Sequence, residues 1–329
     1  MKIKLYRIFK AVSFFVIFCI LFSGVTYVLR HKGEAEIPLP FYQEKKDSLD
    51  VVFIGSSHSM CSVFPMDLYN DWGIASYVFA SSAQVTAQSY YQLQAALERQ
   101  TPKLIVLDVS GVTYDAKIGS EEFTHVQIDN MGFSKVKYEA IFDLFEPEDR
   151  LEYIFNIIRF HTRWKEVEKK DFLPITSLTK GAAVFTTVKE QTFENTVLPE
   201  EKAELYEVAD TYLRKSIELC QAKEIEVLLY NAPSCASEQS ILQYNKVADI
   251  AEEYGLQYVN FLYLTEEIGL DPATDFRDAA HCNAYGAKKV TGYMGAYLTD
   301  HYDLPDRRED PAYAAWDTQY VAYREEYTY

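Results

Sequence analysis

Two short apolar runs constrain this chain more than any other feature. Leu49-Asp50-Val51-Val52-Phe53-Ile54-Gly55 ends on a glycine, and the stretch from Lys103 to Val109 reads KLIVLDV. Neither alternates apolar with polar residues, so each predicts a strand buried on both faces. A second short strand is expected over Ala75 to Ala80, and Gln84 to Glu98 has helical character between the runs. Further on, helices are expected over Pro199 to Ala222, Ile241 to Tyr254 and Ala284 to Leu298. Strands are expected over Ile225 to Tyr230 and Tyr258 to Phe261. Strands alternating with helices imply a parallel sheet covered on both sides, an α/β fold.

The alternation breaks between about 115 and 197, where aromatic and charged residues mix without clean periodicity. This reads as a largely helical insertion that covers or borders a site. Residues 31–48, polar with Pro38 and Pro40, read as a linker. The globular part is expected over 49–302, followed by an acidic, tyrosine-rich tail over 303–329.

Ala11 to Leu29 carries no charge, close to the roughly 20 apolar residues of a bilayer-spanning helix. The preceding leader, residues 1–10, holds Lys2, Lys4, Arg7 and Lys10 and no acid. That bias predicts a transmembrane anchor over 11–30, with a cytoplasmic amino end and an exported domain. The competing reading is a cleaved signal peptide, but Tyr27-Val28-Leu29 offers no clear small-x-small site, though Ser23-Gly24 could serve.

Net charge is −17, with 48% hydrophobic and 25% charged residues. So acidic a globular chain makes nucleic acid an unsuitable partner, because phosphates require Lys and Arg to neutralise them. Cys61, Cys220, Cys235 and Cys282 follow the apolar segment. They form either two disulfides or, the reading preferred here, small buried hydrophobes. No ligand spacing argues for a metal, and no cofactor is expected.

Two motifs carry chemistry. Gly55-Ser56-Ser57-His58-Ser59 follows a strand directly, placing a serine at the carboxyl end of the sheet where α/β folds bind ligands. The competing reading is a serine-rich turn that caps a helix. Asp278-Ala279-Ala280-His281 precedes the last helix. A serine hydroxyl needs a base, histidine is the usual one, and a carboxylate three residues earlier can turn back onto the imidazole. Alternatively, Asp278 or Asn283 caps the helix and His281 lies on the surface.

VVFIGSSHS and DAAHCNAYGAKKV, with ASYVFASSAQVTAQSYYQLQAALERQTPKLIVLDVSG between them, resemble the SGNH (GDSL-like) hydrolase superfamily. The middle stretch also resembles the superfamily's membrane-anchored bacterial branch, which includes proteins similar to the D-alanyl-lipoteichoic acid export protein and to alginate O-acetyltransferases. The resemblance covers roughly 49–115 and 200–300. It implies a flavodoxin-like three-layer α/β/α fold, a metal-free acyl-ester reaction, Ser57 rather than Ser56 or Ser59 as nucleophile, and Asp278 and His281 as its partners. Oxyanion donors would come from Ser57 and from the Ser81-Ser82-Ala83-Gln84 region, here Ala83 and Gln84. The family's asparagine after the third strand is absent, since that segment reads Ser110-Gly111-Val112-Thr113-Tyr114. Thr113 or Gln84 is the expected substitute, and losing one donor typically costs about 10²–10³ in rate.

His58 either touches substrate or faces solvent from the turn. His161, Arg163 and Trp164, in a stretch resembling anchored bacterial members, are expected to bind an anionic sugar polymer, or else to pack structurally. The leading expectation is an extracytoplasmic serine esterase or O-acyltransferase acting on a cell-envelope polysaccharide or teichoic acid. A catalytically weak binding or assembly factor for such a polymer, and a lipase or thioesterase, are the alternatives.

Overall fold

The computed structural model describes residues 2–30, 38–192 and 198–329. In chain order the regular elements are α1 (Lys2–Leu29), β1 (Val51–Gly55), α2 (Ser57–Met60), α3 (Pro65–Trp72), β2 (Ser76–Ala80), α4 (Thr86–Leu97) and β3 (Leu104–Asp108). An insertion follows with α5 (Glu121–Asn130), α6 (Lys135–Leu144), α7 (Arg150–Ile154) and α8 (Ile157–Phe160). Then come α9 (Glu207–Gln221), β4 (Glu226–Asn231), α10 (Glu238–Tyr254), β5 (Gln257–Asn260), β6 (Phe276–Asp278), β7 (His281–Cys282), α11 (Ala284–His301) and α12 (Ala314–Glu326).

Strands β1 to β5 form one parallel sheet in the order β2-β1-β3-β4-β5. Alternate side chains of each strand feed two cores, as the pleat requires. Val52, Ile54, Ile105 and Leu229 pack with Leu93, Leu213, Ile217 and Val247 from α4, α9 and α10. Val51, Phe53, Val106 and Leu228 pack with Leu68 of α3 and with Ala287, Val290 and Met294 of α11. The result is the flavodoxin-like three-layer α/β/α arrangement. Because β1 lies between β2 and β3, the chain winds off it in both directions, and the crevice at its carboxyl end is where such sheets hold ligands.

The insertion is helical as far as Phe172, counting two 3-10 turns at His161–Lys165 and Lys169–Phe172. Its helices stack on the outer sides of α4 and α9, where Tyr91, Ala95 and Tyr212 meet Ile128, Ile141 and Tyr153. Beyond Phe172 the described part is irregular and extended rather than helical. It runs beside β2, where Val78 N–H donates to the Lys180 carbonyl. Gly181, at φ +88°, lies so close that a Cβ there would sit 2.0 Å from the Val78 oxygen. The segment continues past α2 and β6 through backbone bonds from Ala183 to Met60 and from Lys189 to Phe276. Residues 193–197 of the expected insertion lie outside the described residues.

Three boundaries differ from the sequence reading. The expected linker is docked from Leu39 onward: Phe41 is fully buried, stacked on Phe79, and Glu44 pairs with Lys180. The expected tail is part of the core. In it α12 packs against α3, Trp316 and Tyr323 are buried, and Arg307 holds Asp50 at the start of β1. Finally, α9 starts at Glu207 rather than Pro199, because residues 199–203 are held in non-helical form by α10. Asn245 donates to the Pro199 and Glu201 carbonyls, and Ala203 N–H donates to the Leu242 carbonyl.

Near the amino end, Leu5–Leu29 is the one described helix long and apolar enough to cross a membrane. Cys61, Cys220 and Cys282 are buried.

Candidate active site

The serine turn is built around a buried carboxylate. β1 ends at Gly55, and Ser56 caps α2 by accepting the His58 N–H on its hydroxyl. Asp108, at the carboxyl end of β3, accepts from Ser56 N–H at 3.1 Å, Ser56 Oγ at 3.0 Å and Ser59 Oγ at 3.1 Å through one oxygen. Its other oxygen accepts from Ser110 N–H at 2.8 Å. Tyr230, from β4, donates to Ser59 Oγ at 2.6 Å. Two of the three serines are therefore turned inward and committed to structure. Ser57 alone points its hydroxyl the other way, into a cleft.

The Asp-x-x-His motif is a tight hairpin. Asp278 and His281 are cross-strand partners of the antiparallel β6-β7 pair, joined by Ala279 and Ala280. Cys235 N–H donates to the Ala279 carbonyl at 2.7 Å and fastens the turn. Asn283 rather than Asp278 caps α11, accepting from Tyr285 and Gly286 N–H groups. Asp278 is thereby left to His281.

Asp278 Oδ1 lies 2.8 Å from His281 Nδ1, and His281 Nε2 lies 2.8 Å from Ser57 Oγ. Burial works against the Asp278 charge. The Ala280 N–H, the imidazole and Arg277 outweigh it and hold the carboxyl below its ordinary value. It is thus ionised at neutral pH, the state that fixes the Nδ1–H tautomer and leaves Nε2 facing Ser57 as a proton acceptor.

The cleft has a volume of about 570 Å³ and includes Ser57, His58, Ala83, Gln84, Ser110 and His281 in its lining. Ala83 adopts φ +50°, a conformation costly for a residue with a Cβ. Gly119 packs on its carbonyl so tightly that a Cβ would come within 2.0 Å. Gln84 is buried; its Nε2 donates to Ser89 Oγ at 2.9 Å, and its Oε1 has no partner. Thr113 does not line the cleft, and its hydroxyl donates to the Ser110 carbonyl. Ser110 occupies the β3 exit instead, with its hydroxyl 2.7 Å from Ser56 Oγ.

His58 is drawn into the wall of the cleft rather than left in solvent. Its ring lies 5.4 Å from that of His281, its Nδ1 is buried without a partner, and burial lowers its pKa below the usual histidine value.

The other expected substrate contacts are not brought to this cleft. Arg163 donates to the carbonyls of Leu29 and Arg30 at the end of α1 and pairs with Asp171 at 2.7 Å. Carbonyls at a helix carboxyl end attract cations, so this arginine is engaged in joining the insertion to α1. His161 bonds the Ile158 carbonyl, and Trp164 is exposed beside Lys165.

The residues that line the cleft beyond the motifs include Tyr114, Phe123, Phe185 and Arg277. Arg277 lies 3.6 Å from the Phe185 ring centroid and 3.3 Å from Asp278 Oδ2. Sequence reasoning missed these residues and Asp108. A carboxylate ending the apolar run LIVLD was a legible signal for Asp108, because a charge buried there is costly unless donors meet it.

No protein-family model matches the chain, and no curated protein matches it significantly. Among solved structures, the chain is similar at 12% identity to a protein described as lipolytic, of the G-D-S-L family, from Desulfitobacterium hafniense DCB-2. The match covers 75% of this chain and 98% of that one, with a TM-score of 0.41. It is also similar at 12% identity to a protein described as an acylhydrolase from Bacteroides fragilis NCTC 9343. There 82% of this chain and 95% of that one are covered, with a TM-score of 0.37.

Proposed function

We propose that this protein is a serine acyl-ester hydrolase or O-acyltransferase of the SGNH type. The carrying observation is the continuous chain from Ser57 Oγ through His281 to Asp278, each link 2.8 Å. His281 Nε2 takes the Ser57 proton as the hydroxyl oxygen attacks an ester carbonyl, and returns it to the departing alcohol. Asp278 steadies the imidazolium without taking the proton. Water or a sugar hydroxyl then attacks the acyl-enzyme, with His281 again accepting the proton, and Ser57 is restored. The oxyanion is met by the backbone N–H of Ser57, that of Ala83 and, once its amide is turned over so that the NH₂ leaves Ser89 and faces the cleft, the Gln84 side chain.

The basic leader before the apolar helix supports a placement outside the cytoplasmic membrane. The substrate class follows from that placement and from the cleft rim. Tyr114, Phe123 and Phe185 offer faces for sugar rings, and Arg277 offers a charge for an anionic group, which suits an acylated polysaccharide or teichoic acid of the cell envelope. A weakly active binding or assembly factor is the second reading, favoured by Thr113, one expected substitute for the absent asparagine, being turned away from the cleft.

Labelling of the full chain with a fluorophosphonate probe tests the proposal. The wild type should label at Ser57, and Ser57→Ala and His281→Ala should not. Wild type that remains unlabelled while properly folded would favour the binding factor.

A further inference from the structure

We propose that the rim of the insertion around α8 and the two 3-10 turns lies in the outer interface of the lipid bilayer. The proposal rests on reading α1 as a membrane span and adds a second contact with the membrane. Three observations carry it.

The first is depth. Ala11 to Leu29 is about 28 Å long at 1.5 Å per residue, close to the roughly 30 Å hydrocarbon thickness. Phe22 therefore lies about 10 Å below the outer end of the span. The Phe155 ring packs edge-on against Phe22 at 6.4 Å, and the Tyr27 hydroxyl donates to the Leu173 carbonyl at 2.9 Å. Insertion residues that touch α1 at these heights share its depth.

The second is composition. Among the described residues of this region, Phe133, Phe155, Ile158, Trp164, Phe172 and Leu173 are exposed, Trp164 by 66% and Phe172 by 64%. A cluster of large apolar side chains is costly in water and marks a surface that meets something apolar. Trp164, with the Lys165 ammonium 5.8 Å over its ring, is an aromatic-plus-lysine pair of the kind that sits at headgroup level.

The third is rigidity. The insertion cannot swing away from the helix without breaking specific contacts. Arg163 caps the carboxyl end of α1, and Arg30 donates to Asn130 at 2.9 Å. The span is tied to the insertion, and the insertion stacks on α4 and α9, which cover the sheet, so the interface contact fixes how far the Ser57 cleft stands from the membrane.

Trp164 makes the test direct, because Trp72 and Trp316, the other two tryptophans, pack against the cores of the globular domain. The full chain is reconstituted into phosphatidylglycerol–phosphatidylethanolamine vesicles carrying lipids brominated either high in the acyl chain or near its end. The shallow bromines should quench tryptophan emission, the deep ones less, and Trp164→Phe should lose the quenching. Alkaline carbonate extraction of the same vesicles reports on α1 separately. If the protein stays in the membrane pellet but wild type and Trp164→Phe are quenched alike, the interface contact is refuted and the span stands. If carbonate releases the protein, the span reading and this proposal fall together.

Discussion

Gly55 and Asp108 approach so closely that a Cβ on Gly55 would lie 2.3 Å from the Asp108 Cβ and 2.7 Å from its Oδ2. Only glycine lets β1 end this near β3, and that nearness puts Asp108 within reach of the Ser56 and Ser59 hydroxyls. Gly55→Ala should lower stability by about 1–3 kcal/mol through overpacking, read as a shift in denaturant midpoint, and should displace Ser57 as well. Asp108→Asn replaces one oxygen by a donor facing other donors. It should cost about 1–3 kcal/mol and lower kcat for a small activated ester with KM nearly unchanged. A wild-type kcat in the Asp108→Asn protein would show that Asp108 has no positioning role.

Gln84 lines the cleft and is the proposed side-chain donor to the oxyanion. Its amide bonds Ser89 with one end, and its other end is buried without a partner. Turned over, the amide would accept from the Ser89 hydroxyl and aim its NH₂ at the cleft. Gln84→Ala should therefore lower kcat for a small ester by about 10²–10³ while fluorophosphonate labelling slows but persists. An unchanged kcat would assign oxyanion binding to backbone N–H groups alone.

The parts of the site visible in the sequence are those made by local chain geometry. A strand–Gly–Ser–Ser turn and a two-residue hairpin each place their side chains within a few residues, so GSSHS and DAAH could be read directly. Arg163 could not, because its partners are the carbonyls of Leu29 and Arg30, more than 130 residues earlier. Arginine beside tryptophan has the same composition in a sugar site as at a helix end. The buried strands were legible from unbroken apolar runs. The extended return past β2 was not, because its pairing is backbone to backbone and leaves no side-chain period. The helix α12 was hidden because its core side chains are tyrosine and tryptophan amid acids, which on composition alone reads as a solvated tail.

His58 gives stability a pH dependence of defined sign. Burial lowers its pKa in the folded chain below the ordinary 6.5, with the His281 charge adding to the effect and Asp108 and Asp278 opposing it. The unfolded chain thus takes up this proton at higher pH than the folded one. The stabilisation is complete above about pH 6.5 and is lost progressively as pH falls toward the folded-state value. Denaturant midpoints at about pH 7.5 and 5.5 should drop more in wild type than in His58→Gln. Asp278, whose pKa is depressed, acts only at lower pH, near and below the ordinary carboxylate range. Equal drops in the two proteins would show that His58 does not carry the difference.

Residues 303–329 are predicted to be needed for folding rather than dispensable. Arg307 grips Asp50 through Nε at 2.9 Å and Nη2 at 2.7 Å, and Asp50 directly precedes β1. Trp316 is buried against Tyr69, with Lys180 Nζ 4.2 Å from its ring centroid, and that same Lys180 pairs with Glu44. Tyr329 donates to Asp67 Oδ2 at 2.9 Å. Removing the segment would expose Tyr69 and the Glu44–Lys180 pair and leave Asp50 buried without its cation, which is more than a marginally stable domain tolerates. A chain ending at Tyr302 should fail to accumulate as folded protein. Arg307→Ala separates the ion pair from the aromatic packing. The arginine is partly exposed, which screens the pair, so the cost should be about 1–3 kcal/mol, seen as a Tm lowered by several degrees. Fluorophosphonate labelling below that Tm should match wild type, because Arg307 lies at the opposite end of β1 from Ser57. A truncated chain that folds and labels normally would show that the segment is an appendage, and that the sheet holds without it.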